Sequence, residues 1–221
     1  LDERNYVVEL PAGIECVGDV DALIERVFPA ETLDDPTSWA MSGIVAPLNT
    51  SKDEINRKIV AKLPGEPKEY YAINTPSPNT VDPFDYTSME SMAEYMAQID
   101  ENGLPMNLLT LKVGQKVMFT RNVAKRFGLC NGTPAIVREL RDDVITVQRI
   151  SNDGKLGELV DVLRCRVERK VDLRMKKYFS FSRIQFPLAP AFAMTVHKAQ
   201  GQTFEDLDGY RVVLQNAAWT M

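Results

Sequence analysis

Residues 42–65, "SGIVAPLNTSKDEINRKIVAKLPG", constrain the fold more than any other stretch. Gly43 to Ala46 is short, apolar and strand-like, and "PLNT" predicts a turn. Ser51 and Glu54 have the spacing of a capping box. Ile55, Ile59, Val60 and Leu63 then mark one helical face, and Pro64-Gly65 stops the helix. Lys58 and Lys62 fall in the last turns, where the helix dipole favours cations. A buried strand, a turn and a helix form the repeating element of an α/β sheet.

The flanking segments extend this pattern. "DVDALIERVF" predicts a helix capped by Asp19, with Ala22, Leu23, Val27 and Phe28 on its apolar side. "PAETLDDPTSW" reads as a loop-rich connection. From Tyr70 a strand gives way to a Pro-rich loop. A helix follows, ending near Gly103, with Met89, Met92, Ala93 and Met96 as its stripe. Such a stripe is ordinary core. From Leu111 the period changes to two. "LKVGQKVMFTRNV" alternates like a strand, "PAIVREL" and "VITVQRI" form a hairpin across "RDD", and "SNDGK" is a further turn. Several short strands in so few residues predict a small β-barrel of the SH3-like kind. "IQFPLAPAFAMTV" returns to a buried α/β-type run, and "YRVVL" predicts one more core strand. The expected organisation is an α/β domain over 1–110, an inserted β subdomain over 111–185, and a return to the first domain over 186–221.

Charge divides the chain in the same way. Residues 1–111 carry 7 Lys and Arg against 20 Asp and Glu, whereas residues 112–185 carry 17 against 8. The net charge of −5 thus hides a basic module inside an acidic chain. Clustered cations are the electrostatic footprint of phosphate-backbone binding. Within the module, Arg121, Lys125 and Arg126 in "TRNVAKRF" are the chosen DNA face. Asn131 and Gly132 in "CNGT" suit a turn. Three scattered cysteines fit a reducing, intracellular compartment rather than a disulfide framework. One histidine and no C-x-x-C pair argue against a structural zinc site. No apolar run is long enough to cross a membrane. Leu1 stands where an initiating methionine would, so the sequence reads as a piece of something longer.

The densest polar stretch is "AMTVHKAQGQTF", residues 193–204, which follows a strand-like run. In open α/β sheets ligands collect at the carboxyl ends of strands. Thr195, His197 and Thr203 can donate to phosphate oxygens, Lys198 supplies charge, and Gly201 lets a backbone amide come close.

"AFAMTVHKAQGQTF" closely resembles motif V of the PIF-type DNA helicases, superfamily-one motors, whose pattern runs A-x-T-[IV]-H-K-x-Q-G-x-T. "GIVAPLNTSKDEIN" resembles the family's motif IV region, with Leu48 in place of its usual threonine. "GLPMNLLTLKVGQKVMFTRNV" with "GLCNGTPAIV" resembles its inserted 2B-type subdomain, and "FPLAPAFAMT" the return from that insert. The resemblance runs from about Ile14 to Leu214. It implies an α/β fold: a RecA-like, P-loop NTPase-type domain lacking its P-loop half, with an SH3-like subdomain inserted. It also implies that Asn49, Thr195, His197 and Lys198 meet the backbone of single-stranded DNA, and that Gln200, Gly201 and Gln202 sense ATP phosphates.

No G-x-x-x-x-G-K-[ST] occurs, and the paired acids of "RDD" lie in a hairpin, where a turn explains them better than a Walker B site. The family's arginine-finger segment is absent too; Arg211, within a strand-like run, is a poor substitute. The expectation is the C-terminal part of an ATP-dependent 5′-to-3′ DNA helicase. ATP and Mg2+ would belong to the parent protein, none being bound by this chain alone. Its partners would be single-stranded DNA and the RecA-like ATPase domain that precedes it in the family. A eukaryotic parent would be nuclear, and telomere, repair, recombination and transposition roles all lie within the family. The alternative is a stand-alone nucleic-acid- or protein-binding module without motor activity.

Overall fold

The computed structural model describes residues 19–77, 89–101, 103–151, 153–172, 178–196 and 210–212. Helix α1, Val20–Val27, is capped by Asp19, whose carboxylate accepts from the Ala22 amide at 2.7 Å. Its buried side is Leu23, Ile24 and Val27, with Phe28 beyond; Ala22, expected inside, is exposed because Ile24 takes the core-facing position. The expected loop after it folds into a 3-10 turn, Ala30–Thr32, and a short helix α2, Pro36–Trp39, capped by Asp35. Trp39 drives this ordering: its ring is buried, and its Nε1 donates to Thr32 O and Leu33 O.

Strand β1, Gly43–Ala46, is buried throughout, and helix α3, Asn49–Lys62, follows it. The helix begins two residues before the expected capping box. Leu48, in extended backbone, is its N-cap and already accepts from the Lys52 amide at 3.1 Å, so no Ser51 side-chain cap forms. Lys58 and Lys62 do more than complement the dipole: they bridge to Asp21 and Glu25 of α1 at 2.9 and 2.6 Å.

The remaining elements are β2 (Lys68–Tyr71), β3 (Ile73–Pro76), α4 (Met89–Gln98), β4 (Leu108–Leu111) and β5 (Lys116–Phe119). After them come β6 (Pro134–Leu140), β7 (Val144–Ile150), β8 (Leu156–Leu163), β9 (Cys165–Asp172) and β10 (Tyr178–Gln185). The last are β11 (Leu188–Pro190), β12 (Ala193–Thr195) and β13 (Tyr210–Val212). What alternation suggested as one strand from Leu111 is two, β4 and β5, separated by a turn in which Gly114 takes φ +84°.

β1 lies between β12 and β13, all parallel, and α3 packs on this small sheet. An antiparallel five-stranded sheet runs β11-β5-β6-β7-β8, with the expected hairpin at residues 141–143. Its end strands do not pair with each other, so the strands do not close into the expected barrel: β11 comes from beyond the module, while β10 leaves to pair with β3 and carries β9 on its other side. β2 pairs with β4. Helix α4 buries Met96 against Phe179 and Phe181, with Met92, Tyr95 and Ile99 alongside; Ala93 faces out. Phe28, Trp39 and Phe192 form an aromatic knot in the core of the parallel sheet. Ile136 and Ile150 of the five-stranded sheet join that core, so the α/β layer and the basic module share one apolar interior.

Lys116 fastens the same junction. It is 2% exposed, and its Nζ donates to Ala40 O and Ser42 O at 2.7 Å each. Burial pulls its ammonium down to about 7. An unfolded lysine titrates near ~10.4, so above pH 7 the unfolded state binds more protons and stability rises with pH; below pH 7 the burial penalty is fully present. Urea unfolding from pH 6.5 to 9 is expected to show the native chain gaining about 1–2 kcal/mol relative to Lys116→Met. Parallel pH profiles for the two proteins would remove Lys116 as the titrating group.

Candidate nucleic-acid interface

The parallel sheet decides which residues can act together. Ile44 pairs with Ala193, Val45 with Met194 and Ala46 with Thr195. Because the strands are parallel and in this register, the segments leaving β1 and β12 emerge side by side from one sheet edge. That edge is the carboxyl end, where α/β sheets collect ligands. Asn49 opens α3 there and is exposed; Thr195 ends β12 and is 9% exposed. The first-turn amides of α3 have no side-chain cap, and the positive helix terminus adds to an anion-attracting edge. His197, Lys198, Gln200, Gly201 and Gln202 lie outside the described residues.

Sequence reasoning passed over Asn56, which holds this edge together. Its amide is buried, donates to Lys52 O and Ala193 O at 3.0 Å each, and accepts from the Ala193 amide at 2.9 Å. Helix α3 is thereby pinned to β12 two residues before Thr195. The signal was present: Asn56 shares a helical face with Ile59, Val60 and Leu63 at i+3, i+4 and i+7, and a polar residue in an apolar stripe must find buried partners.

The structure places Arg121, Lys125 and Arg126 elsewhere, on the loop between β5 and β6, and all three are exposed. A 3-10 turn, Lys125–Phe127, carries the last two and ends at Gly128 in the left-handed region (φ +71°). The Arg126 guanidinium lies 4.7 Å from the Phe127 ring centroid. Arg121 lies near Cys165: burial pushes that thiol up, and the Arg121 charge pulls it part-way back. Asn131 and Gly132 form a turn, as expected, with the Asn131 amide donating to Asn122 Oδ1 at 3.0 Å. Asn49 and Thr195 thus stand at the sheet edge, and Arg121, Lys125 and Arg126 on the β5–β6 loop.

Chemically, the sheet edge offers neutral donors and a helix terminus, and the loop offers cations beside an aromatic ring. Both suit a phosphate backbone. The described residues do not fit a complete ATP–Mg2+ site. No group of three or more His, Cys, Asp or Glu among them is placed to hold a metal, and the sequence has no phosphate-cradling G-x-x-x-x-G-K-[ST]. No nucleotide chemistry is assigned to them. No helix among the described residues is long and apolar enough to cross a membrane.

Comparison with known proteins agrees with this architecture. Residues 94–140 match the family model described as DNA helicase Pif1, 2B domain. The zebrafish (Danio rerio) ATP-dependent DNA helicase PIF1 is 29% identical over 167 residues, which is 74% of this chain and 23% of that protein. The chain spans about a quarter of the length of the curated relatives it matches. Among solved structures, the Bacteroides Pif1 helicase in complex with ADP-AlF3 and ssDNA superposes with a TM-score of 0.53 at 23% identity, covering 88% of this chain and 39% of that one. The Pif1 helicase from Candida albicans gives 0.53 at 19% identity, covering 80% and 45%.

Proposed function

We propose that this chain, which belongs to the PIF-type family of DNA helicases, forms part of the single-stranded DNA track of an ATP-dependent motor. In this reading it is the second RecA-like domain with its inserted basic subdomain, over 1–110, 111–185 and 186–221. Asn49, Thr195, His197 and Lys198 meet the DNA backbone, Arg121, Lys125 and Arg126 meet it again on the insert, and Gln200, Gly201 and Gln202 face the ATP phosphates. ATP and Mg2+ are held by the rest of the parent protein, which moves 5′-to-3′.

The observation that carries the reading is the pairing of Ala46 with Thr195. It brings the outlets of two segments 149 positions apart to one sheet edge. The basic balance of residues 112–185 supports a polyanionic partner.

The test is fluorescence anisotropy of labelled oligo-dT across a salt series. Affinity is expected to fall linearly in log–log salt, with a slope of about −0.7 per phosphate contact. Replacing Arg121, Lys125 and Arg126 together by alanine should flatten that slope by about 2. His197→Ala with Lys198→Ala should weaken binding further. Absence of oligo-dT binding at low salt, or a slope that ignores all five residues, would overturn the reading.

A further inference from the structure

We infer that Phe127, with Arg126 beside it, is a stacking platform for one unpaired base of single-stranded DNA. The inference rests on the DNA-binding reading above and adds what the phosphate contacts cannot supply, a preference for unpaired bases.

The loop that carries the ring is braced. An isolated bridge joins Ala124 to Leu129, and Leu129 is buried as its anchor. Thr133 Oγ1 donates to Gly128 O at 2.9 Å and accepts from the Cys130 amide at 3.2 Å. Arg149, reaching across from β7, donates to Phe127 O at 3.3 Å. The site of Gly128 is filled from the same side: a Cβ there would collide with Arg149 Nη1. The turn therefore holds Leu129 inward and Phe127 outward. Phe127 remains 60% exposed at the end of it. A backbone already braced in this presenting conformation loses little freedom when a ligand lands on the ring.

The surroundings choose the ligand. Between Glu101 and Glu139 the sequence has no acidic residue, and the loop between β5 and β6 carries Arg121, Lys125 and Arg126, all exposed. Among the described residues no ion pair engages Arg121, Lys125 or Arg126. An exposed ring with Arg126 against it, on a loop that also carries exposed Arg121 and Lys125, matches a partner that is both a polyanion and a source of flat π faces. Single-stranded DNA is both: its phosphates meet the cations and a base meets the ring. A duplex offers the same phosphates but keeps its base faces stacked, so it gains nothing from Phe127.

The experiment uses the full chain, labelled oligo-dT, and an abasic phosphodiester strand of equal length, each across a salt series. Phe127→Ala is expected to weaken oligo-dT binding about 5- to 50-fold with an unchanged salt slope. Phe127→Leu, which keeps apolar bulk without a ring, should resemble Phe127→Ala, and Phe127→Trp should bind at least as tightly as the native chain. On the abasic strand all four proteins should bind alike. Arg126→Ala should instead flatten the slope by about 0.7 on both strands. Equal oligo-dT affinities for the native chain, Phe127→Ala and Phe127→Leu would overturn the stacking role and leave the DNA-binding reading standing. Failure of the native chain to bind oligo-dT would remove both. An unchanged melting temperature for Phe127→Ala certifies that any loss is local.

Discussion

Arg183→Met is expected to cost the fold about 3–5 kcal/mol, the largest single loss of any substitution considered. Arg183 is 1% exposed and stands in β10 under the end of α4. Its Nε donates to Asn74 Oδ1 at 2.8 Å. Its Nη1 donates to Ile99 O at 3.1 Å and Pro105 O at 2.9 Å, and its Nη2 donates to Met96 O. One guanidinium thus satisfies the last turn of α4 and the chain that leaves it. Burial pulls Arg183 below its ordinary range, and the charge of Asp100, two residues beyond the end of α4, pushes it part-way back.

Replacing a buried ion pair by apolar residues can be neutral, because both charges leave together. That does not apply here. The acceptors are mainly backbone carbonyls, which no side-chain substitution removes, so methionine leaves three of them buried without this donor. Arg183→Lys restores charge but not the planar fork, and should recover less than half of the loss. Urea unfolding gives the comparison. A cost below about 1 kcal/mol for Arg183→Met would show that water reaches these carbonyls and that the fork is dispensable.

Arg183 also shows where sequence reasoning stops. β1, the end of α3, the hairpin at residues 141–143 and the Asp19 cap were all legible, because each is decided by residues within a few positions of one another. The partners of β5 and β10 were not. β5 pairs with β11, so Phe119 meets Leu188, and β10 pairs with β3, so Ile184 meets Ile73. Nothing local announces pairings between such distant residues, and the barrel expected from strand density opened into sheets that share strands with their surroundings. Lys116, Arg183 and Gln185 follow the same rule. Each is a polar residue that pattern alone places at the surface, yet each is buried on acceptors from remote segments: Ala40 and Ser42, the end of α4, and Tyr70. Of the candidate site, the sheet edge was legible from strand-then-polar-loop spacing. The amide that clamps it and the ring beside the cations were not, because a polar residue inside a helix and a phenylalanine inside a basic loop each read as incidental.

The clamp yields the other large effect. Asn56→Asp is expected to destabilise the fold by about 2–3 kcal/mol, more than Asn56→Ala at about 1–2 kcal/mol. β12 lies at the edge of the three-stranded sheet, with β1 on one side. At Ala193 the other side is closed by Asn56, whose Nδ2 donates to Ala193 O while its Oδ1 accepts from the Ala193 amide. Among the described residues no strand lies on that side, and the side-chain amide stands in for a neighbouring peptide group. Alanine removes both bonds and leaves the Ala193 groups unpaired in the core. Aspartate keeps the shape and the accepting oxygen but replaces Nδ2 with a second acceptor aimed at Lys52 O and Ala193 O, so a buried charge meets two carbonyls. Because the clamp sits two residues before Thr195, loosening it also frees the strand that brings Thr195 to the sheet edge. Chemical denaturation of the two variants reads the ordering, and the oligo-dT titration reads the consequence: under conditions where Asn56→Ala is still folded, its affinity should fall several-fold while the salt slope holds, since no cation has been removed. Equal stability of the Asp and Ala variants would refute the donor role of the amide. A stability loss without any loss of affinity would confine Asn56 to holding the fold and detach it from the proposed DNA track.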